Sequence, residues 1–195
     1  MNIDTFPPGT IIILNGTSSS GKTCLLKAIQ DSFQEPFLDA GLDKFIWMLP
    51  KRFLEPPLWD DVLGKAGHAG QTGHQLVKTM HRAILAISAL GNYVVADHVF
   101  VEPSWLQDCT ELFSEQPAWL VGVRCPLEIV EERERKRKDR TLGQARLQYD
   151  LVHRHGKYDI EVNTSELSPI ECAQKIREGI QTQAKPQALR RLREA

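Results

Sequence analysis

The residues best suited to chemistry lie near the N-terminus, where an apolar run is followed by a glycine-rich turn that ends in Lys22 and Thr23. From Gly16 to Thr23 the spacing is that of a phosphate-binding loop: glycine, four residues, glycine, lysine and threonine. Small residues let the backbone N–H groups close around phosphate oxygens, and a helix that starts near Gly21 directs its positive end at the same anion. Lys22 would reach the outer phosphates, and the Thr23 hydroxyl is placed for Mg²⁺. A serine-rich turn that only caps a helix is the alternative, but the flanking strand and helix are the context that the motif requires.

The elements that must position this loop are alternating strands and helices. Apolar runs predict short strands over residues 10–15, 37–41, 92–97, 118–123 and 158–162, with amphipathic helices between them. This alternation predicts an α/β fold with a five-stranded parallel sheet flanked by helices. Together with the loop it indicates a P-loop NTPase fold of the small-kinase type. We expect one domain over residues 1–183 and a loosely held C-terminal tail over residues 184–195.

Two aspartates follow other predicted strands, at the edge of the sheet where α/β proteins hold their ligands. Asp43 stands between a short strand and the next helix, where catalysis and capping of the helix are equally compatible with its position. Asp97 ends the buried strand over residues 92–97, where an acid can help to hold Mg²⁺ beside the Thr23 hydroxyl. We therefore predict that Thr23 and Asp97 bind the metal, with a helix cap as the alternative role of Asp97.

Two longer segments have the composition of loops that cover a site. Residues 50–73 contain seven prolines and glycines among apolar residues, which fits either a substrate loop or a surface excursion packed on the core. Residues 133–148 form an arginine-rich lid candidate, in which Arg137 and Arg140 lie at a turn and could reach back over a nucleotide. Glutamates are interspersed with these arginines, so part of the basic run also fits a solvated helix face.

The composition narrows the range of partners. The chain has 195 residues and a formal net charge of −1, so its overall charge favours neither nucleic acid nor an anionic membrane. Its four cysteines are scattered, unlike those of zinc or redox motifs, and suit a reducing cytoplasm. No stretch approaches the roughly 20 apolar residues of a membrane span. We expect a cytoplasmic protein that acts on a small molecule. These features are also compatible with a homo-oligomer.

These features favour a small kinase that uses Mg²⁺-bound ATP, an acid that deprotonates an acceptor hydroxyl, and arginines that neutralise the phosphoryl group. A more specific signal comes from six segments that occur in order between about residue 11 and residue 173, namely residues 12–16, 35–38, 41–43, 121–125, 139–140 and 158–164. In these segments the chain resembles the chloramphenicol phosphotransferase family, in which the ATP γ-phosphate passes to the primary hydroxyl of the antibiotic.

The resemblance implies that Asp43 is the base and that Lys22, Arg137 and Arg140 complete the catalytic set. ATP would be held by the loop, its first helical residues and one lid arginine: Gly16, Thr17, Ser18, Ser19, Ser20, Gly21, Lys22, Thr23, Cys24 and Arg133. Also by resemblance, His153 lies in a matching valine-histidine position. Where the family shows two acids after the third strand, this chain has Asp97 and His98, so His98 either hydrogen-bonds the acceptor or is structural.

Three other functions remain open at this point. The first is a P-loop kinase for a different hydroxyl acceptor, such as a nucleotide, a sugar or another natural product, since residues 50–75 depart from the family. The second is an ATP-binding regulatory module without transfer activity. The third and weakest is a nucleic-acid binder that uses residues 133–140, whose affinity would collapse with rising salt.

Overall fold

The structure is a computed structural model that describes residues 6–55, 58, 62, 69–136 and 142–195. Five strands form one sheet in which every neighbouring pair is parallel, in the order β2-β3-β1-β4-β5. The predicted five-stranded parallel sheet is therefore confirmed. The strands are β1 (Ile11–Asn15), β2 (Leu38–Asp39), β3 (Val94–His98), β4 (Ala118–Arg124) and β5 (Ile160–Asn163).

Helices cover both faces of this sheet. The central strand β1 is fully buried and sends alternate residues to opposite sides: Ile11 and Ile13 join one apolar cluster, and Ile12 and Leu14 join the other. The helices are α1 (Lys22–Ser32), α2 (Leu42–Ile46), α3 (Gln71–Ala89), α4 (Pro103–Phe113), α5 (Leu127–Lys136), α6 (Gln144–Val152), α7 (Pro169–Thr182) and α8 (Ala188–Arg193), with a 3₁₀ turn at Lys51–Leu54.

The two segments expected to cover the site are only partly described. Residues 56, 57, 59–61 and 63–68 of the predicted substrate loop lie outside the described residues, as do residues 137–141 of the predicted lid. The flanking helices α5 and α6 are described, and they pack together around a small apolar cluster of Cys125, Val130 and Ala145.

The expectation of a loosely held C-terminal tail is wrong. Residues 188–193 form helix α8, and Ala188 and Leu189 are buried in the same apolar cluster as the α4 side chains Trp105 and Phe113. The Asp159 carboxylate accepts hydrogen bonds from the backbone N–H groups of Gln187, at 2.7 Å, and of Ala188, at 2.9 Å. A carboxylate from a distant turn thus supplies the helix cap that the local sequence lacks.

No helix in the described ranges is both long enough and apolar enough to cross a bilayer.

Candidate active site

A cavity of about 450 Å³ opens at the carboxyl ends of the central strands. This is the edge at which parallel α/β sheets bind ligands. It brings together side chains from the phosphate-binding loop, from α2, from the segment after β3, from the two helices that flank the lid and from the turn after β5. Its lining includes Ser18, Ser19, Gly21, Lys22, Thr23, Cys24, Leu42, Asp43, Asp97, Val99, Val101, Trp105, Arg133, Lys136, Gln144, Gln148, Thr164 and Pro169.

The loop after β1 has the geometry that its sequence predicts. Gly21 adopts a φ of 92°, a left-handed conformation that favours glycine, immediately before α1 begins. Lys22 is only 6% exposed, and its Nζ donates to the carbonyl oxygens of Gly16, at 2.7 Å, and Thr17, at 2.5 Å. The first-turn residues Thr23 and Cys24 are exposed and line the cavity. The loop, the lysine and the start of α1 therefore surround one space.

Asp43 lies in the first turn of α2, but it is not the residue that caps this helix. The N-cap position is taken by Gly41, and the helix has no side-chain cap. Asp43 is half-buried and lines the cavity together with Lys22 and Asp97. This placement favours the catalytic interpretation of Asp43 over the capping one.

Asp97 belongs to β3 itself, at a position paired with Leu14 of β1, just before the phosphate-binding loop begins. Burial raises the pKa of the Asp97 carboxyl above its ordinary value; Asp43 and Asp39 raise it further, while Lys22 opposes them. A buried carboxylate close to other acids is stabilised by a cation. Carboxylate and hydroxyl oxygens are the ligands that Mg²⁺ prefers, so Asp97 and Thr23, which line the same cavity, fit the predicted metal site.

Arg133 extends from α5 and also lines the cavity. Its Nη1 donates to the Thr164 hydroxyl at 3.1 Å, and its Nη2 donates to the Thr164 carbonyl at 2.8 Å. The Thr164 hydroxyl in turn donates to the Ser20 carbonyl at 2.7 Å. Arg133 is thereby tied to the phosphate-binding loop, as its predicted role requires. Arg137 and Arg140 lie outside the described residues.

His98 is buried in a series of hydrogen-bonded polar side chains and does not line the cavity. Its Nδ1 accepts the Val99 N–H at 2.8 Å, so its Nε2 carries the proton and donates to His81 Nε2 at 3.1 Å. His81 Nδ1 then donates to Asp108 at 2.7 Å. Because both ring nitrogens of His98 are used and the side chain is 1% exposed, the structural interpretation of His98 holds.

His153 also has a structural environment. Its Nδ1 lies 2.5 Å from the Tyr158 hydroxyl, which accepts a hydrogen bond from Asn15 Nδ2 at 2.8 Å. Burial lowers the pKa of His153 to about 3, and Arg124 lowers it too. A neutral His153 can accept a hydrogen bond from the Tyr158 hydroxyl at its Nδ1 atom. His153, Tyr158 and Asn15 are thus connected by hydrogen bonds, and they support the phosphate-binding loop through Asn15, which immediately precedes it.

Several residues that line the cavity were not predicted from the sequence. Thr164 and Gln148 are single polar residues in a turn and a helix, and no local motif marks them. Val99, Val101 and Trp105 are apolar residues that line the cavity together with the two aspartates. In the sequence they are marked only by their position after the carboxyl end of β3. The sequence around Lys136 predicts only an exposed helix end. A lysine in that position can either contact a ligand or be fully solvated, and the sequence does not distinguish the two.

The geometry has counterparts among known proteins. A family profile described as "Chloramphenicol phosphotransferase-like protein" matches residues 9–181. A Mycobacterium tuberculosis protein with the name "Putative O-phosphotransferase" is 34% identical over 200 residues, which cover 96% of this chain and 89% of that protein.

Solved structures show the same fold at low sequence identity. A sugar kinase from Janibacter sp. HTCC2649 aligns with a TM-score of 0.67 and 14% identity, over 89% of this chain and 95% of that one. The Mycobacterium tuberculosis APS kinase CysC, solved in complex with AMPPNP and APS, aligns with a TM-score of 0.64 and 15% identity, over 91% of this chain and 100% of that one. The fold is thus that of the small P-loop kinases. Since the family profile spans most of the sequence and the relative covers nearly all of it, the chain belongs to the chloramphenicol phosphotransferase-like family.

Proposed function

We propose that this protein transfers the γ-phosphoryl group of Mg-ATP to a hydroxyl group of a small molecule, with chloramphenicol as the first acceptor to test. The observation that carries the proposal is that a single cavity is lined by Ser18, Ser19, Gly21, Lys22 and Thr23 of the phosphate-binding loop and by two aspartates on neighbouring elements. A module that only bound nucleotide would not need an acid such as Asp43 beside the outer phosphates. The O-phosphotransferase name of the relative supports the same reaction.

The nucleotide would lie across the loop. Its phosphates would meet the Lys22 ammonium and backbone N–H groups of the loop and of the first turn of α1, and Arg133 would bind beside Thr164. Thr23 and Asp97 would hold Mg²⁺, which neutralises charge on the phosphate oxygens when it is bound. Arg137 and Arg140 are proposed to neutralise the transferred group from the lid.

Asp43 would act as the general base. The acceptor hydroxyl would donate its hydrogen bond to the Asp43 carboxylate, and its oxygen would attack the γ-phosphorus as the proton passes to Asp43. The bond between the γ-phosphorus and the bridging oxygen breaks, and the electron pair leaves with ADP. The half-buried position of Asp43 in the cavity that Lys22 also lines supports this role.

Part of the cavity wall is apolar, since Val99, Val101, Trp105 and Leu42 line the same cavity as Asp43 and Asp97. Such a wall favours a hydroxyl carried on an apolar body over a highly hydroxylated sugar, which would leave polar groups without partners. Chloramphenicol combines an aromatic ring with hydroxyl groups, and its phosphorylation would make this protein an antibiotic-inactivating enzyme. Another hydroxyl-bearing natural product, a nucleotide or a sugar is the alternative acceptor.

The proposed setting is the cytoplasm, where ATP is available and the four scattered cysteines stay reduced. The proposal requires no nucleic acid or membrane as a partner, and it is compatible with a homo-oligomer.

The test is ADP release from Mg-ATP with and without chloramphenicol, followed by mass spectrometry of the drug. The proposal predicts acceptor-dependent ADP release and a gain of one phosphate on the drug. Transfer to a different hydroxyl compound in a wider screen would keep the reaction and change the acceptor. Binding of ATP without transfer to any acceptor in that screen would instead identify a regulatory nucleotide-binding module.

A further inference from the structure

Gln148 makes a contact with the phosphate-binding loop that the proposed chemistry has not used. Its Oε1 accepts the backbone N–H of Ser18 at 2.8 Å, across 130 positions of sequence. Ser18 is the third residue of the loop, so this N–H is one of the group that a phosphate-binding loop directs toward its ligand. Gln148 therefore meets the loop at the ligand side, and both residues line the cavity.

The hydrogen bond settles the orientation of the Gln148 amide. An N–H group can only donate, so the atom that faces Ser18 must be the amide oxygen. The Nε2 group then carries two N–H donors, and it has no hydrogen-bond partner among the described residues. Gln148 is only 6% exposed, but its Nε2 atom keeps some contact with solvent and the residue lines the cavity. These donors are therefore available to an acceptor supplied by a ligand in the cavity.

The position along the loop indicates which part of the ligand this is. The peptide group between Thr17 and Ser18 uses both of its polar atoms: Thr17 O accepts from Lys22 Nζ at 2.5 Å, and Ser18 N donates to Gln148. Lys22 is the residue that reaches the β- and γ-phosphates in loops of this pattern. Gln148 thus contacts the same peptide group as the lysine that reaches the outer phosphates.

Helix α6 holds Gln148 rigidly in this place. At its start, the Glu134 carboxylate of α5 accepts the backbone N–H groups of Gly143, at 2.7 Å, and Ala145, at 2.9 Å. At its end, the Val152 carbonyl accepts from Asn15 Nδ2 at 2.7 Å, and Asn15 is the last residue before the loop. Both ends of α6 are therefore tied to the elements that form the site. Such anchoring preorganises a side chain for a ligand.

We propose that Gln148 binds the terminal phosphate of ATP: Ser18 N–H fixes its Oε1, and Nε2 donates to a γ-phosphoryl oxygen. This inference rests on the proposed nucleotide-dependent function and assigns a specificity-determining residue to it. Gln148 would distinguish ATP from ADP before transfer and would hold the transferring group in line with the acceptor hydroxyl.

The experiment measures the dissociation constants of Mg-AMPPNP and Mg-ADP by calorimetry on the full chain. Gln148→Ala should weaken AMPPNP binding by about 10- to 100-fold, as expected for a hydrogen bond to a charged group, and ADP binding by less than about threefold. Gln148→Glu keeps an oxygen for Ser18 but replaces the donors with a negative charge, so it should weaken AMPPNP binding at least as much. Leu147→Ala, an exposed change on the same helix, should alter neither constant.

The outcomes separate this inference from the proposed function. If both Gln148 variants weaken ADP and AMPPNP equally, or change neither, Gln148 only supports the loop and the inference is overturned while the kinase proposal stands. If the unmodified protein binds neither nucleotide, the proposed function fails and this inference fails with it. Circular dichroism on each variant confirms that the fold is retained, and Gln148→Glu still decides the question should Gln148→Ala not fold.

Discussion

Gly41 lies directly against the carboxylate of Asp97, so that a Cβ atom at position 41 would come within 1.9 Å of Asp97 Oδ1. The backbone at Gly41 has a φ of −67°, which any residue can adopt, so the need for glycine arises from this approach and not from the turn. The absence of a side chain lets the start of α2 pack onto the end of β3. In this way Asp43 and Asp97, 54 positions apart in the sequence, come to line one cavity.

Gly41→Ala should therefore damage the site more than the fold. The new methyl group would displace the Asp97 carboxylate, and we expect the turnover number to fall by about 10- to 100-fold, in keeping with the sensitivity of catalysis to misplacement by about 1 Å. The measurement is steady-state phosphotransfer, with circular dichroism to confirm folding. Gly179→Ala is the matched control, since its Cβ would approach the Ile160 side chain to 2.7 Å at a position that does not line the cavity, and it should leave turnover unchanged. Normal turnover in Gly41→Ala would show that the Asp97 position is not critical.

Asp43→Asn should abolish most of the transfer without loss of nucleotide binding. The amide keeps the size of the carboxylate but cannot take up the acceptor proton, so the turnover number should fall by about 10²- to 10⁴-fold. Calorimetry with Mg-AMPPNP should give a dissociation constant close to that of the unmodified protein. Asp150→Asn, an exposed change on α6, serves as the control. Near-normal turnover in Asp43→Asn would require that the base be reassigned.

Arg133→Ala should weaken ADP and AMPPNP alike. Arg133 contacts the Thr164 hydroxyl and carbonyl, and through Thr164 the Ser20 carbonyl, so its loss affects the loop as a whole and not the terminal phosphate alone. We expect both dissociation constants to rise by about 10-fold, the effect of one lost charged hydrogen bond. Arg135→Ala, an exposed change on the same helix, should have no such effect. Unchanged affinities in Arg133→Ala would place the nucleotide elsewhere in the cavity.

Asn15→Ala should destabilise the fold. Asn15 Nδ2 donates to the Val152 carbonyl and to the Tyr158 hydroxyl, and its Oδ1 accepts the Phe100 N–H at 2.9 Å. The substitution removes the Asn15 partner of the Val152 carbonyl and of the Phe100 N–H and one of the two hydrogen bonds of the Tyr158 hydroxyl, so the free energy of unfolding should fall by about 3 kcal/mol. Urea denaturation measures the loss. Asn92→Ala removes a single exposed hydrogen bond and should cost less than about 0.5 kcal/mol.

Stability should fall as the pH falls below about 6.5, the ordinary pKa of histidine. Burial lowers the pKa of His81, although Asp108 opposes this, and burial together with His81 holds the pKa of His98 well below 6.5. The unfolded chain then binds protons that the folded chain does not. The stabilisation is complete above pH 6.5 and is lost as the pH falls toward the folded-state values.

Urea denaturation at pH 7.5 and pH 5.5 tests this dependence. Burial also lowers the pKa of His153 to about 3 and that of His155 to about 4, so these two histidines add to the effect of His81 and His98. Each histidine whose folded-state pKa lies well below 5.5 should contribute about 1.4 kcal/mol between the two pH values, so the expected difference is about 4 to 5 kcal/mol. In His98→Asn the pH-dependent loss should fall by about 1.4 kcal/mol, whatever the absolute stability of the variant. Equal free energies of unfolding at the two pH values would contradict the assignment of neutral buried histidines.

The fold was predictable because its signals are local. The apolar runs that become β1, β3 and β4 are contiguous, and the phosphate-binding loop is a single stretch of eight residues whose spacing carries its geometry. The error at the C-terminus has the opposite cause. Helix α8 is short and its local signals are weak, and it is held by burial of Leu189 and by the Asp159 carboxylate, neither of which the local sequence reveals.

The sequence by itself thus determined the parallel sheet, the loop and the family, since each rests on residues that are adjacent or regularly spaced. Only the tertiary structure decided the roles that depend on distant partners. It showed that Gly41 and not Asp43 is the N-cap of α2. It also showed that His98 is buried in contact with His81 and that Gln148 is hydrogen-bonded to Ser18. The physical reason is that the strength and direction of a polar interaction depend on burial and on a partner's position, and packing sets both.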